Sequence, residues 1–359
     1  MDAKPHELIH ALEADHALPT EGYERLIAEC DAALAAHAAE RAAEARRAVY
    51  GTDVYLRGLI EFSSYCVNDC LYCGLRRSNG RADRYRLTPD QILECVEEGY
   101  GIGYRTFVLQ GGEDPRFTDD MLCAVVSTIK DRYSDCAVTL SLGERSRASY
   151  RRLFDAGADR YLLRHETASP DHYAMLHPRS MSYERRMRCV SDLRDIGYAV
   201  GLGFMVGSPG QGPRELARDL KLIEEFRPEM CGIGPFVPHH ATPFSDAPRG
   251  SVDLTCYLLS LIRLISPGLL IPATTALATL DPAGREKGIL AGANVIMPNV
   301  SPASVRTRYD PYDNKACTGE EAAEGRRRLD ARIASIGYRT VVDRGDPKLS
   351  PVGPGECTE

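Results

Sequence analysis

The spacing of hydrophobic and polar positions changes near residue 54. Before it, residues 5–48 carry helix-forming Ala, Glu, Leu and Arg, densest over 23–47, and Gly51 follows as a stop. This predicts an N-terminal helical extension over residues 1–50. After it, short apolar runs alternate with amphipathic stretches. The apolar runs predict strands at 55–62, 105–110, 137–142, 159–164, 198–206, 230–235, 269–273 and 294–297. The amphipathic stretches predict helices at 88–100, 119–132, 146–156, 182–196, 213–226, 253–265 and 282–290. Thr88-Pro89 opens the first of these with a cap residue and then a proline. Gly103, Gly157, Gly197 and Gly292 follow helices, where a left-handed residue commonly ends them.

Eight strands alternating with helices predict an α/β fold of the TIM-barrel type, (βα)8, over residues 51–300. The competing doubly wound sheet is disfavoured, because no dinucleotide-binding glycine fingerprint follows the first strand. Beyond 300 the pattern decays into a C-terminal extension, residues 301–359. Residues 299–318 read as loop, 320–336 as a polar helix, and 343–359 as a loose tail with three prolines and three glycines.

Composition adds limits rather than a function. Of 359 residues, 43% are hydrophobic and 26% charged, an ordinary globular balance. The net charge of -7 weighs against nucleic acid as a partner. Residues 1–30 hold Asp2, Lys4, Glu7, Glu13 and Asp15 and no apolar run of a secretion signal. The apolar stretch 269–280 is broken by Pro272 and too short for a bilayer. A cytoplasmic protein without a membrane partner is expected. In that setting 12 cysteines point to thiols and metal sites rather than disulfides.

Three of those cysteines are crowded: Cys66, Cys70 and Cys73, directly after the first predicted strand. Spacings of three and two residues let one loop wrap three thiolates around a cubic iron–sulfur cluster, which normally takes four. The open iron can then hold the amino and carboxylate groups of S-adenosylmethionine (SAM). Structural zinc, the blander reading, needs four ligands, and no further Cys or His lies close by in sequence.

This Cys-x3-Cys-x2-Cys loop resembles the signature of the radical SAM superfamily. Within it the chain is similar to the HydE family of FeFe-hydrogenase maturases, from about residue 55 to 302. The resemblance is carried by 60–63 with 66–77, 108–115 (VLQGGEDP), 138–144 (VTLSLGE), 156–168 (AGADRYLLRHETA), 232–239 (GIGPFVPH), 271–276 (IPATTA) and 291–299 (AGANVIMPN). The 3-methylornithine synthases and, more distantly, the biotin synthases share it; the RHET and PATTA stretches favour HydE. The resemblance implies one 4Fe–4S cluster, SAM, and an electron donor such as ferredoxin or flavodoxin. It implies radical attack at sulfur in a small iron carbonyl–cyanide–cysteine complex, alongside the maturases HydG and HydF. Two alternatives stay open: a mutase like 3-methylornithine synthase or another radical enzyme on a small organic substrate, and a non-catalytic electron carrier. Some HydE proteins hold a second cluster on Cys-x7-Cys-x2-Cys. Here Cys317 matches only the first position and the next cysteine is Cys357, so no second cluster is expected.

The same resemblance marks the surroundings. Tyr72 would offer backbone contacts to adenine, against simple packing. Gln110, Gly111 and Gly112 end the second strand, where glycines admit the SAM ammonium; a plain turn is the alternative. Arg164 and Glu166, two apart, share one side of a strand. Arg186 would take the SAM carboxylate through its two-pronged guanidinium, with Arg185 as the alternative. Thr139, Ser141, Thr274 and Thr275 are small hydroxyls in an apolar barrel and need partners, ligand or backbone. Arg57 and Met230 are further candidates, and 203–210 an apolar wall beside adenine. His239-His240 reads as packing, since neighbours on an extended chain face opposite ways.

Overall fold

The computed structural model describes residues 4–316 and 322–349. Its strands are β1 (Asp53–Leu56), β2 (Gly58–Ser63), β3 (Thr106–Gly111), β4 (Ala137–Ser141), β5 (Arg160–Leu162), β6 (Ala199–Leu202), β7 (Met205–Val206), β8 (Met230–Cys231), β9 (Gly234–Pro235), β10 (Val295–Ile296) and β11 (Arg339–Val341). Six form one parallel sheet in the order β2-β3-β4-β5-β6-β8. Single parallel bridges then run from Met230 to Leu270, Pro272 to Val295 and Asn299 to Leu59, back to β2. The circuit is that of a TIM-type barrel, in which ladders make most of the ring and isolated bridges the rest.

The weak part of the ring has a local cause. The strand expected at 269–273 is absent as a ladder. Pro272 has no N–H to give, and the Ile271 N–H is taken by Asn294 Oδ1 at 2.8 Å. Three other expected strands are divided. Residues 55–62 split at Arg57, 198–206 at Gly203-Phe204, and 230–235 at Gly232-Ile233. Ile60, Phe107, Leu109, Val138, Leu140, Tyr161, Val200 and Leu202 are fully or almost fully buried, the apolar face that strands of a barrel turn to their helices.

The helices expected between strands are present at Pro89–Gly101, Asp119–Arg132, Arg147–Asp155, Tyr183–Ile196, Pro213–Phe226, Val252–Ile265 and Gly284–Leu290. Helices at Pro170–Leu176, Thr275–Leu280 and Ala303–Arg306 were not expected. The N-terminal stretch, expected as helix over 5–48, is three helices, Pro5–Asp15, Thr20–Ala28 and Ala32–Tyr50. The first ends on left-handed His16, and the third is capped by Asp31, whose side chain accepts from Leu34 N. Buried Arg46 ties the third helix to the barrel through the carbonyls of Ala293, Gly51 and Asp53.

Residues 343–349 are not a loose end. Asp346 accepts from Arg160 at 2.6 Å, Arg344 O accepts from Thr106 Oγ1 at 2.7 Å, and Lys348 N donates to Gly268 O at 3.1 Å. Thr106 and Arg160 begin β3 and β5, so this segment covers the N-terminal end of the barrel. Residues 350–359 lie outside the described residues. Among the described residues no helix is long and apolar enough to cross a membrane.

Candidate cluster and cofactor site

The cysteine loop leaves the C-terminal end of β2. Ser63 Oγ donates to Asp114 Oδ2 at 2.6 Å, and Arg86 grips the same carboxylate at 2.6 and 3.0 Å. Val67 N bonds Glu113 O, Leu71 N bonds Leu176 O, and Gly74 N bonds Pro311 O. Arg84 gathers the carbonyls of Ser64, Leu75 and Arg76. With its backbone anchored on all sides, the loop presents Cys66, Cys70 and Cys73 as free thiols. Burial pushes all three thiol pKa values up, that of Cys73 to about 12. Repulsion from the thiolate forms of Cys73 and Cys66 adds to the rise at Cys70. Three half-buried thiols that repel one another as anions make a donor set that a cluster of cations stabilises.

Glycine at 112 is required by close approach. Its N–H bonds Ser63 O at 3.1 Å, and a Cβ there would strike Tyr65 O and come within 2.7 Å of Cys66 Cβ. Gly112→Ala is therefore expected to displace Cys66 and lower iron retention severalfold, since overpacking of this kind costs about 1–3 kcal/mol. Iron per chain after anaerobic reconstitution checks this; wild-type occupancy in the variant would refute it. Gln110, two residues earlier, lies near buried Tyr309.

Past β5 the chain makes an unusual turn. Glu166 has φ of +66°, a left-handed conformation rare in non-glycine residues and often found at functional sites. Its N–H bonds Gly203 O at 3.0 Å. The conformation brings Glu166 Oε2 to 3.1 Å from Arg164 Nη2. The alignment is poor for a hydrogen bond, and both atoms are buried without another partner. Thr139 Oγ1, Thr274 Oγ1 and the Nε and Nη2 of Arg57 are also buried and unpartnered. Proteins leave few such atoms unsatisfied. A polar ligand in the barrel would satisfy them.

A buried pair supports this turn, and it was not foreseen. His165 Nδ1 accepts from Gly203 N at 3.3 Å, which leaves its proton on Nε2, 3.2 Å from Asp219 Oδ1. Asp219 also accepts from Ala168 N. The available signal was an aspartate amid the apolar face of helix Pro213–Phe226, beside Leu216, Ala217 and Leu220.

Arg186 is buried with its side chain 7% exposed, whereas that of Arg185 is 65% exposed. Arg186 Nε donates to Glu144 Oε1 at 2.8 Å and Nη1 to Arg164 O at 2.6 Å. Neither contact uses Nη2. Arg185 reaches the other oxygen of Glu144 at 3.0 Å. Glu144, last residue of the VTLSLGE stretch, was not among the expected site residues, yet it positions both arginines. Tyr72 packs with Leu176, Met205 and Phe236, and its hydroxyl lies 3.3 Å from His177 Nε2. Burial lowers the pKa of His177 to about 4, so this wall is uncharged near neutral pH.

Of the remaining expected residues, Arg57 and Met230 lie deeper in the barrel. Arg57 Nη1 is 3.1 Å from Met230 Sδ. Arg57 sits some six residues before the end of β2, about 20 Å along the strand. Thr139 stands in mid-β4 and Ser141 at its end, and Thr274 precedes helix Thr275–Leu280. Thr275 lines a cavity of about 270 Å³ with Glu61 and Lys315.

The stretch expected as plain loop, 299–318, is packed as far as it is described. Lys315 Nζ meets both oxygens of buried Glu61 at 2.5 and 2.6 Å, and Asn299 adds a bond at 2.6 Å. Ala316 N bonds Thr279 Oγ1 at 2.9 Å. His239 and His240 do not face opposite ways. Their rings stack at 4.3 Å, and with Asp313 their ligand atoms lie within 4.8 Å of one another. Even so, His239 Nδ1 accepts from Ala241 N at 3.0 Å. Its proton is then on Nε2, facing Asp310, which suits a hydrogen-bonded clasp better than a metal ligand. Cys317 and Cys357 lie outside the described residues.

Comparison with known proteins gives the family. The Radical SAM superfamily model matches residues 60–223. The [FeFe] hydrogenase maturase subunit HydE of Thermotoga maritima is 46% identical over 278 residues, 77% of this chain and 79% of that protein. The 3-methylornithine synthase of Methanosarcina acetivorans is 27% identical over 75% of this chain and 77% of its own. The crystal structure of methylornithine synthase (PylB) superposes with a TM-score of 0.79 at 23% identity, covering 93% of this chain and 97% of that one, which supports the barrel fold. The chain belongs to the radical SAM superfamily, a class of enzymes that use a 4Fe–4S cluster and SAM. Within that class it is HydE-like, at the identity just given. Three free thiols on one anchored loop, and unpartnered polar atoms in the barrel, fit both groups.

Proposed function

We propose that this chain is a HydE-type maturase, acting on the sulfur of a small iron carbonyl–cyanide–cysteine substrate during assembly of the FeFe-hydrogenase diiron subcluster. The observation behind this choice is the 46% identity to HydE over 77% of the chain. Cys66, Cys70 and Cys73 would hold three irons of a single 4Fe–4S cluster. When bound, the cluster and SAM together supply a 5′-deoxyadenosyl radical. The chain's own part is orientation. Arg186, fixed by Glu144, and the Arg164–Glu166 pair would meet the carboxylate, ammonium and ribose of SAM. The backbone of Gln110, Gly111 and Gly112 would approach the ammonium, and Tyr72 with its apolar neighbours would keep water from adenine. Thr139, Ser141, Thr274 and Thr275, and deeper Met230 and Arg57, would face the substrate. A ferredoxin or flavodoxin would deliver the electron in the cytoplasm, and HydG and HydF would act beside it.

Anaerobic maturation of apo-hydrogenase with HydG and HydF tests this reading. Adding the reconstituted chain is expected to activate the hydrogenase and to form 5′-deoxyadenosine. SAM cleavage without activation would favour a mutase on a small organic substrate, as the 27% identity to 3-methylornithine synthase allows.

A further inference from the structure

The helical extension gathers three histidines that the proposed chemistry does not use. His6 and His10 stand one turn apart on helix Pro5–Asp15, so both project from one face. His37 meets them from helix Ala32–Tyr50. Its ring centroid is 5.1 Å from that of His6 and 5.0 Å from that of His10. Nε2 of His37 is buried and has no hydrogen-bond partner. A buried ring nitrogen without a partner is uncommon in a folded protein. The carboxylates of Glu13 and Glu40 bring negative charge to the group, and Glu13 is itself held by Arg41 at 2.6 and 2.8 Å.

We propose that His6, His10 and His37 form a binding site for one divalent ion of the zinc class, clamping the first helix onto the third. The spacing suits it. A tetrahedral ion at about 2.0–2.1 Å from three ring nitrogens sets the ring centroids about 5.2 Å apart. The separations of His37 from His6 and from His10, 5.1 and 5.0 Å, lie close to that value, whereas His6 and His10 must swing toward each other before all three nitrogens meet on one ion. Two histidines four residues apart on one helix face are a recurrent zinc-binding pair. Exposed His6 and His10 close the nitrogens on the ion by side-chain rotation, and solvent takes the fourth position. Imidazole donors select zinc, nickel or copper over magnesium and calcium, which prefer oxygen.

Zinc binding to full-length, cluster-loaded protein tests the site, because the cluster occupies the three reactive thiols. Equilibrium dialysis against zinc under anaerobic conditions is expected to show one tight ion per chain. His6→Ala and His10→Ala change exposed side chains, so both variants should stay folded and retain SAM cleavage. Each should lose that ion, with affinity falling by more than the roughly tenfold to hundredfold that loss of an outer partner costs. His240→Ala should keep it. The proposal is overturned if wild-type protein binds no tight zinc, or if His10→Ala binds it unchanged. It is equally overturned if His240→Ala, rather than His10→Ala, removes the ion.

Discussion

Replacing Cys66, Cys70 or Cys73 with Ala, one at a time, is expected to abolish both the 4Fe–4S signal and the formation of 5′-deoxyadenosine. The three thiols sit on a loop whose backbone is pinned by Arg84, Glu113 and Pro311, and each supplies one thiolate to the site. The other cysteines with described positions are spread through the fold, for instance in helices Pro89–Gly101 and Val252–Ile265. Wild-type protein should hold about four irons per chain, the content of one cubic cluster. Iron analysis and electron paramagnetic resonance of the reduced protein give both numbers. A single-cysteine variant that kept an intact cluster would remove the basis of the assignment. About eight irons in wild-type protein, half of them lost in Cys317→Ala, would show a second cluster instead.

Much of this was legible in the sequence because it depends on neighbours along the chain. Thr88-Pro89 starts a helix by local capping, and Thr88 indeed accepts from Gln91 N. The cysteine spacing and the glycines after β3 are likewise local. What stayed hidden depends on partners far apart in sequence. Lys315 looks like a solvated loop lysine until Glu61, 254 residues away, is placed against it. Asp346 looks like part of a tail until Arg160 reaches it across 186 residues. The divided strands at Gly203 and Gly232 reflect close approach of two backbones, which leaves no periodic trace. The run of residues 5–48 did carry local marks of its breaks, Pro19 and the cap residue Asp31, although His16 ends the first helix by its left-handed backbone. At the site, the proximity of Arg164 and Glu166 was anticipated from their alternation. Their actual meeting rests on the left-handed backbone at Glu166, with buried His165 and Asp219 behind it.

Arg186→Ala is expected to weaken SAM binding by about one to two decades, the equivalent of one charge-assisted hydrogen bond of roughly 1.5–3 kcal/mol. Two of the arginine's nitrogens are already committed, one to Glu144 and one to the carbonyl of Arg164. They fix the plane of the guanidinium and leave Nη2 for a ligand carboxylate. Removing the side chain takes away that donor and also leaves nearly buried Glu144 with only the exposed Arg185 as partner. Arg186→Lys should restore binding only in part, because one ammonium cannot hold Glu144, the carbonyl and a ligand in fixed directions. Glu144→Gln keeps the shape and should fall between wild type and Arg186→Ala. The cluster should survive all three changes, since none removes an iron ligand. Titrating SAM into reconstituted protein while following the shift of the cluster's paramagnetic signal measures each affinity. Wild-type affinity in Arg186→Ala would move the carboxylate role to Arg185 or Arg164. Loss of the cluster together with SAM binding would make Arg186 a support of the cysteine loop rather than a ligand contact.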